Sequence, residues 1–256
     1  MIFDSHAHYD DKAFDPDREE LLASLSENGI GCVINVTSDL DSQTRSLALA
    51  ERYDYIYSSV GFHPSDIGPL NEEVFSELAE NAKADRVVAI GEIGLDYYWE
   101  KDGKKREQQR YWFRRQLSLA KENRLPVIIH SRDAANDTLT IMKEAAQEQI
   151  RGVIHCYSYS TEQAKEYLSM GYYLGIGGVL TFKNSRKLRE TVEMAPLDRL
   201  LLETDCPYLC PEPNRGKRNS SLYLPFVVSE LARIKGIREE EVEAVTEQNA
   251  RELFDL

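Results

Sequence analysis

Short, almost uninterrupted apolar runs alternate along the chain with longer stretches in which apolar residues recur every three or four positions. The first pattern marks strands buried on both faces, and the second marks helices with one buried face. The runs predict strands at Ile2–His6, Cys32–Val36, Ile56–Phe62, Val87–Gly91, Pro126–Ile129, Gly152–His155, Tyr172–Ile176 and Arg199–Glu203. The periodic stretches predict helices at Asp17–Asn28, Ser42–Tyr53, Glu72–Ala82, Glu107–Asn123, Ala134–Gln147, Thr161–Met170 and Ser185–Met194, with Leu222–Lys235 and Arg238–Phe254 finishing the chain. Eight strands each followed by helix, without a linker or a break in composition, predict an α/β fold in a single domain, 1–256. Its expected form is a closed (β/α)8 barrel, the TIM barrel. A doubly wound open sheet is the competing arrangement, because order along the chain does not by itself fix closure.

Length agrees, since 256 residues match the roughly 250 of such barrels. No stretch approaches the roughly 18 apolar residues of a membrane span, and the first residues, Met1 to His6, carry neither a basic start nor an apolar signal core. Cys32, Cys156, Cys206 and Cys210 form no CxxC pair, so they are expected to be reduced thiols of a cytoplasmic protein. Cys206 and Cys210, with three residues between them, lack the spacing of a structural zinc site. The pattern is silent on oligomeric state, and a monomer is compatible with it. A net charge of −13 argues against a broad basic surface for nucleic acid. It leaves room for a nuclease, because bound cations invert the field of an acidic site.

All five histidines fall near predicted strand ends: His6 and His8 at strand one, His63 at strand three, His130 at strand five and His155 at strand six. Glu92 follows strand four and Asp205 follows strand eight. The C-terminal strand ends of a barrel share one rim, where catalytic residues sit. His6-Ala7-His8 is the most telling pair, because residues i and i+2 of an extended segment point the same way and can reach one cation. Alone it is weak, since a solvated strand end has the same appearance. Glu92 directly follows a buried run, where a carboxylate needs a partner or a cation, and its two oxygens are able to bridge two ions; the alternative is a cap on the following loop. His130 and His155 make a plausible second pair, although a single core histidine is more often only hydrogen-bonded. Asp205 is expected to bind a cation and to accept the proton of the attacking water. Glu203 is expected beside the ligands rather than among them. His63 is read either as a contact to substrate or ligands, or as structural. Two loops stand out: Asp96–Arg106, aromatic and then charged, and Cys206–Ser221, with three prolines and Arg215-Gly216-Lys217-Arg218.

Taken together, Phe3-Asp4-Ser5-His6-Ala7-His8, Gly61-Phe62-His63-Pro64, Gly91-Glu92-Ile93-Gly94-Leu95-Asp96-Tyr97, Ile128-Ile129-His130-Ser131-Arg132, His155-Cys156-Tyr157-Ser158 and Leu202-Glu203-Thr204-Asp205-Cys206-Pro207-Tyr208-Leu209 resemble the TatD family of metal-dependent deoxyribonucleases, over nearly the whole length. The resemblance implies two divalent ions, zinc, magnesium or manganese. His6, His8 and Asp205 would hold one, His130 and His155 the other, with Glu92 bridging. Where the family loop often reads Arg-Asn-Glu-Pro, this chain has Arg218-Asn219-Ser220-Ser221, which bears on the lip around the substrate.

The expected activity is phosphodiester hydrolysis on DNA, single-stranded or at ends, in an exonuclease-like manner. Arg132, Arg215 and Arg218 are candidates for flanking phosphates, and Tyr157 or Phe182 for stacking on a base. Two other readings compete: hydrolysis of another ester, such as an aminoacyl-tRNA ester or a small phosphoester, and a metal-binding module without catalysis.

Overall fold

Each apolar run becomes a parallel strand, because a strand covered by helix on one face and by the interior on the other must be apolar throughout. The computed structural model describes residues 1–256. Its strands are β1 (Ile2–Ala7), β2 (Ile30–Asn35), β3 (Ile56–Val60), β4 (Val87–Asp96), β5 (Val127–Arg132), β6 (Gly152–Ile154), β7 (Tyr173–Ile176) and β8 (Leu200–Leu202). They lie in one sheet in chain order. Between them come α1 (Arg18–Leu25), α2 (Leu40–Arg52), α3 (Glu72–Asn81), α4 (Gly103–Asn123), α5 (Ala135–Gln147), α6 (Thr161–Ser169) and α7 (Arg186–Met194). Helices α8 (Leu224–Lys235) and α9 (Glu239–Phe254) follow β8. The alternation and the strand order define the (β/α)8 barrel. No helix is long and apolar enough to cross a membrane.

The chain forms two compact units, Met1–Asn35 with Cys156–Leu256, and Val36–His155. In the first, β1 pairs with β2 and β7 with β8. A parallel bridge of Ala7 with Cys206, just beyond β8, sets the segment after the last strand against the first, which closes the order. Helix α9 covers this junction. Phe254 stacks on Phe3 with ring centroids 6.2 Å apart, and the Asn249 side-chain amide donates to the carbonyls of Leu197 and Leu200.

In the second unit β3, β4, β5 and β6 pair in turn. Here two predicted boundaries are corrected. Strand β4 runs five residues past Gly91 to Asp96, and β5 continues through His130 to Arg132, so Glu92 and His130 stand within strands. The cause is the pairing of Ile93 with Ile129, Gly94 with His130, Leu95 with Ser131 and Asp96 with Arg132. A register shift between Ile90 and Ile93 re-aims the side chains around Glu92, as bulges at barrel rims do. Gly94 has φ +143°, and a Cβ there would run into the His130 carbonyl, so only glycine permits the extension. Helix α4 starts at Gly103, four residues before the predicted Glu107, because the Asp102 side chain caps it by accepting from the Lys104 N–H. Its buried Gln116 takes the Phe62 N–H at 2.7 Å and gives to the Phe62 carbonyl, and Gln109 takes the Asp96 N–H. The helix thereby satisfies backbone groups at two strand ends.

Candidate metal centre

The first unit gathers His6, His8 and Asp205. The alternation of β1 sends both imidazoles one way. Their Nε2 atoms are 3.0 Å apart, and Asp205 Oδ1 lies 3.7 Å from His6 Nε2 and 3.3 Å from His8 Nε2. Two imidazole nitrogens at about 2.0–2.1 Å from a tetrahedral ion stand roughly 3.3 Å apart, so these separations suit three donors around one cation. Asp205 sits at φ +56°, a left-handed conformation that costs a non-glycine residue of order 1 kcal/mol. The turn is held by the Asp205 N–H on the His6 carbonyl (2.9 Å) and by the His8 N–H on the Cys206 carbonyl (2.9 Å).

Beneath the trio lies a polar network that the sequence did not reveal. Asp4, fully buried, accepts from Ser221 Oγ (2.6 Å), Thr204 Oγ1 (2.8 Å), the Thr204 N–H (3.1 Å) and the His6 N–H (3.2 Å). Burial pushes the Asp4 carboxyl up to about 7, against the pull of these hydrogen bonds. Tyr9 extends the network, its hydroxyl 2.8 Å from Ser221 Oγ and accepting the Ser221 N–H. Ser221, in the segment where the chain departs from the usual loop, is therefore an anchor under the ligands. Glu203 is buried, accepts the Cys156 N–H at 2.6 Å and lies over Gly175, where a Cβ would collide with its carboxylate.

The second unit gathers His63, Glu92 and His130. His130 Nδ1 is 2.6 Å from Glu92 Oε1, and its Nε2 is 3.3 Å from Asp96 Oδ2. His63 Nε2 and His155 Nε2 each lie 4.0 Å from Glu92 Oε1. Burial works against a charged His130, yet Glu92 and the hydrogen bonds to Asp96 and Glu92 carry its pKa up to about 9. Burial likewise works to raise Asp96, but the bond to His130 and the Trp99 N–H hold it below the usual carboxylate range. The anionic surroundings that draw a proton onto His130 equally favour a cation, which must displace that proton. Asp96 escaped the sequence reading because the predicted strand stopped at Gly91.

Both donor sets, imidazole nitrogen with carboxylate oxygen, fit zinc or manganese, and the carboxylates admit magnesium. Around them, Arg132 lies 4.1 Å over the Tyr98 ring and Arg215 4.3 Å over Phe182. Arg218 has another task than the one expected of it. Both of its terminal nitrogens bond Asp17, one also bonds the Ala13 carbonyl, and the group covers Phe14, so three of its donors hold the loop. Tyr157 is 2% exposed with its hydroxyl on the Ser160 carbonyl, which removes it from stacking on a base.

A (β/α)8 barrel carrying histidine and carboxylate clusters at the C-terminal ends of its strands has the donors of a metal-binding barrel on the rim where such folds carry their catalytic groups. The model of the TatD related DNase family matches residues 3–255. A metal-dependent hydrolase of Bacillus subtilis, YabD, is 43% identical over 256 residues, covering all of both chains. The 3'-5' ssDNA/RNA exonuclease TatD of Cronobacter sakazakii is 34% identical over 99% of this chain and 97% of its own. The crystal structure of YJJV, a TatD homologue of Escherichia coli, superposes with a TM-score of 0.92 at 31% identity, covering 100% of this chain and 98% of that one. The chain belongs to the TatD family of metal-dependent hydrolases.

Proposed function

We propose that the protein hydrolyses phosphodiester bonds of DNA, single-stranded or at ends, with one divalent cation on His6, His8 and Asp205 and a second on Glu92, His130 and His155, joined by His63. The convergence of His6, His8 and Asp205 carries this reading, since it offers a cation site and a proton acceptor together. The description of the matching family and the exonuclease among the relatives support the choice of substrate. Bound divalent ions supply the Lewis acidity that makes water acidic near neutral pH and draws charge from a phosphoryl oxygen.

The chain's own residues do the rest. The β1 alternation and the Thr204–Asp4 bonds orient His6 and His8. Asp205 presents Oδ1 to the imidazoles, and its carboxylate takes the proton of the attacking water. In the other cluster Asp96 fixes the tilt of the His130 ring through Nε2, as carboxylates behind metal-binding histidines do.

Asp205→Asn is expected to keep the fold by circular dichroism and to lower kcat on a labelled single-stranded oligonucleotide by about 100-fold or more, the scale of a lost general base. Wild-type turnover from this variant in metal-matched protein removes Asp205 as the base. No nucleotide release with zinc, magnesium or manganese, alongside cleavage of an aminoacyl ester, moves the activity to that other ester class.

A further inference from the structure

Tyr98 and Trp99 are 43% and 69% exposed, and Trp99 is the most open large apolar side chain of the molecule. An indole left this bare, with a second aromatic ring 4.8 Å away at 86°, is a surface prepared for contact. Arg132 reaches over both rings, 4.1 Å from the Tyr98 centroid and 5.7 Å from that of Trp99, and Lys101 lies 5.6 Å from Tyr98. The loop itself is held. Lys101 Nζ and Arg106 Nη2 both donate to the Tyr97 carbonyl, and Arg106 Nε donates to the Glu100 carbonyl. The backbone beneath the rings is thereby tied down, while the faces of Tyr98 and Trp99 stay open to solvent.

The placement ties this surface to the metal ligands. Asp96 Oδ1 accepts the N–H groups of Tyr98 (2.9 Å) and Trp99 (3.0 Å), while Oδ2 of the same carboxylate lies 3.3 Å from His130 Nε2. One side chain thus positions both the ligand and the aromatic pair. Charge points the same way close to the rings: Lys101 and Arg132 both lie against Tyr98, whereas Arg110, Arg114 and Arg115 further along α4 are paired with Asp137, Glu144 and Glu72. Open aromatic faces, cations beside them and a metal-binding cluster one carboxylate away are the components that single-stranded nucleic acid requires: stacking for bases and positive charge for phosphates.

We propose that Tyr98, Trp99 and Arg132 form the subsite that receives a nucleotide flanking the scissile phosphate, the base stacking on Trp99 with Tyr98 at its edge and the phosphate meeting Arg132. This assignment rests on the nuclease reading and narrows it to unpaired strands, because a base within a duplex keeps its faces covered by its neighbours.

Trp99 reports on its own occupancy. The chain has two tryptophans, and Trp112 is only 9% exposed. Oligothymidylate added to the protein in EDTA, where hydrolysis is stopped, is expected to quench the exposed indole, whereas a blunt duplex of equal length leaves it unchanged. With metal restored, Trp99→Ala is expected to raise KM for the oligonucleotide roughly tenfold, within the range of one lost base–aromatic stack. Trp99→Phe, which keeps an aromatic face, is expected to restore KM to within about threefold, a rescue that a merely structural role would not produce. Hydrolysis by the wild type with an unchanged KM in Trp99→Ala overturns the subsite and leaves the nuclease reading standing. Quenching without hydrolysis supports the subsite and overturns the nuclease reading. Neither quenching nor hydrolysis with any single strand overturns both.

Discussion

Asp4 touches no substrate in the mechanism above, yet four hydrogen bonds converge on it and brace the segments that carry the three candidate ligands His6, His8 and Asp205. Through His6 N–H it fixes β1, and through Thr204 it fixes the turn that carries Asp205. Ser221→Ala removes one of these donors, leaving a buried carboxylate oxygen short of a partner. We expect a loss of about 1–3 kcal/mol in urea denaturation, together with weaker uptake of a cation by the His6 cluster in a metal titration. An unchanged midpoint and unchanged affinity would show that Thr204 alone suffices. The link was invisible in the sequence because Ser221 lies 217 residues from Asp4. His6 and His8, by contrast, were legible at once, since period-two alternation is local. His63 was ambiguous because its role depends on the ring of His130, 4.4 Å away, and on Glu92.

Among the elements, α4 does more than cover its neighbours. Gln109 and Gln116 are one heptad apart on its buried face, and both spend their amides on strand-end backbone. Gln116→Ala leaves the Phe62 N–H without its acceptor in the interior. The expected cost is again about 1–3 kcal/mol by denaturant titration, and because His63 follows Phe62 directly, cation affinity of the His63–Glu92–His130 cluster should fall as well. A stability loss without any change in metal affinity would confine Gln116 to a structural part. Polar residues on a helical face read as solvated in the sequence. Only the position of the strand ends shows that they face inward. The same dependence explains why β4 was predicted too short: Glu92 interrupts the apolar run, and the continuation to Asp96 is decided by pairing with β5.

At the level of the whole molecule, buried Glu92, Asp96 and Asp4 add to a chain of net charge −13, so bound cations should stabilise as well as activate. Protein stripped by a chelator is expected to lose hydrolysis and to melt lower. Saturation at about 100 times Kd contributes about 2.7 kcal/mol per site, roughly 5–10 °C for a chain of this size. Readdition of zinc or manganese should restore both, and elemental analysis should find two ions per chain. A melting temperature indifferent to chelation would argue against ions in these clusters. The order of strands and helices and the candidate donors His6, His8 and Asp205 were legible in the sequence alone, because burial on two faces, helical period and strand alternation are written in neighbouring residues, whereas closure of the sheet was decided by the meeting of the first and last strands. The union of Asp4 with Ser221, the reach of β4 to Asp96, the commitment of Arg218 to Asp17 and the open faces of Tyr98 and Trp99 came only with folding. Each depends on which distant groups meet, and hydrogen bonding and exposure are properties of that meeting rather than of any local pattern.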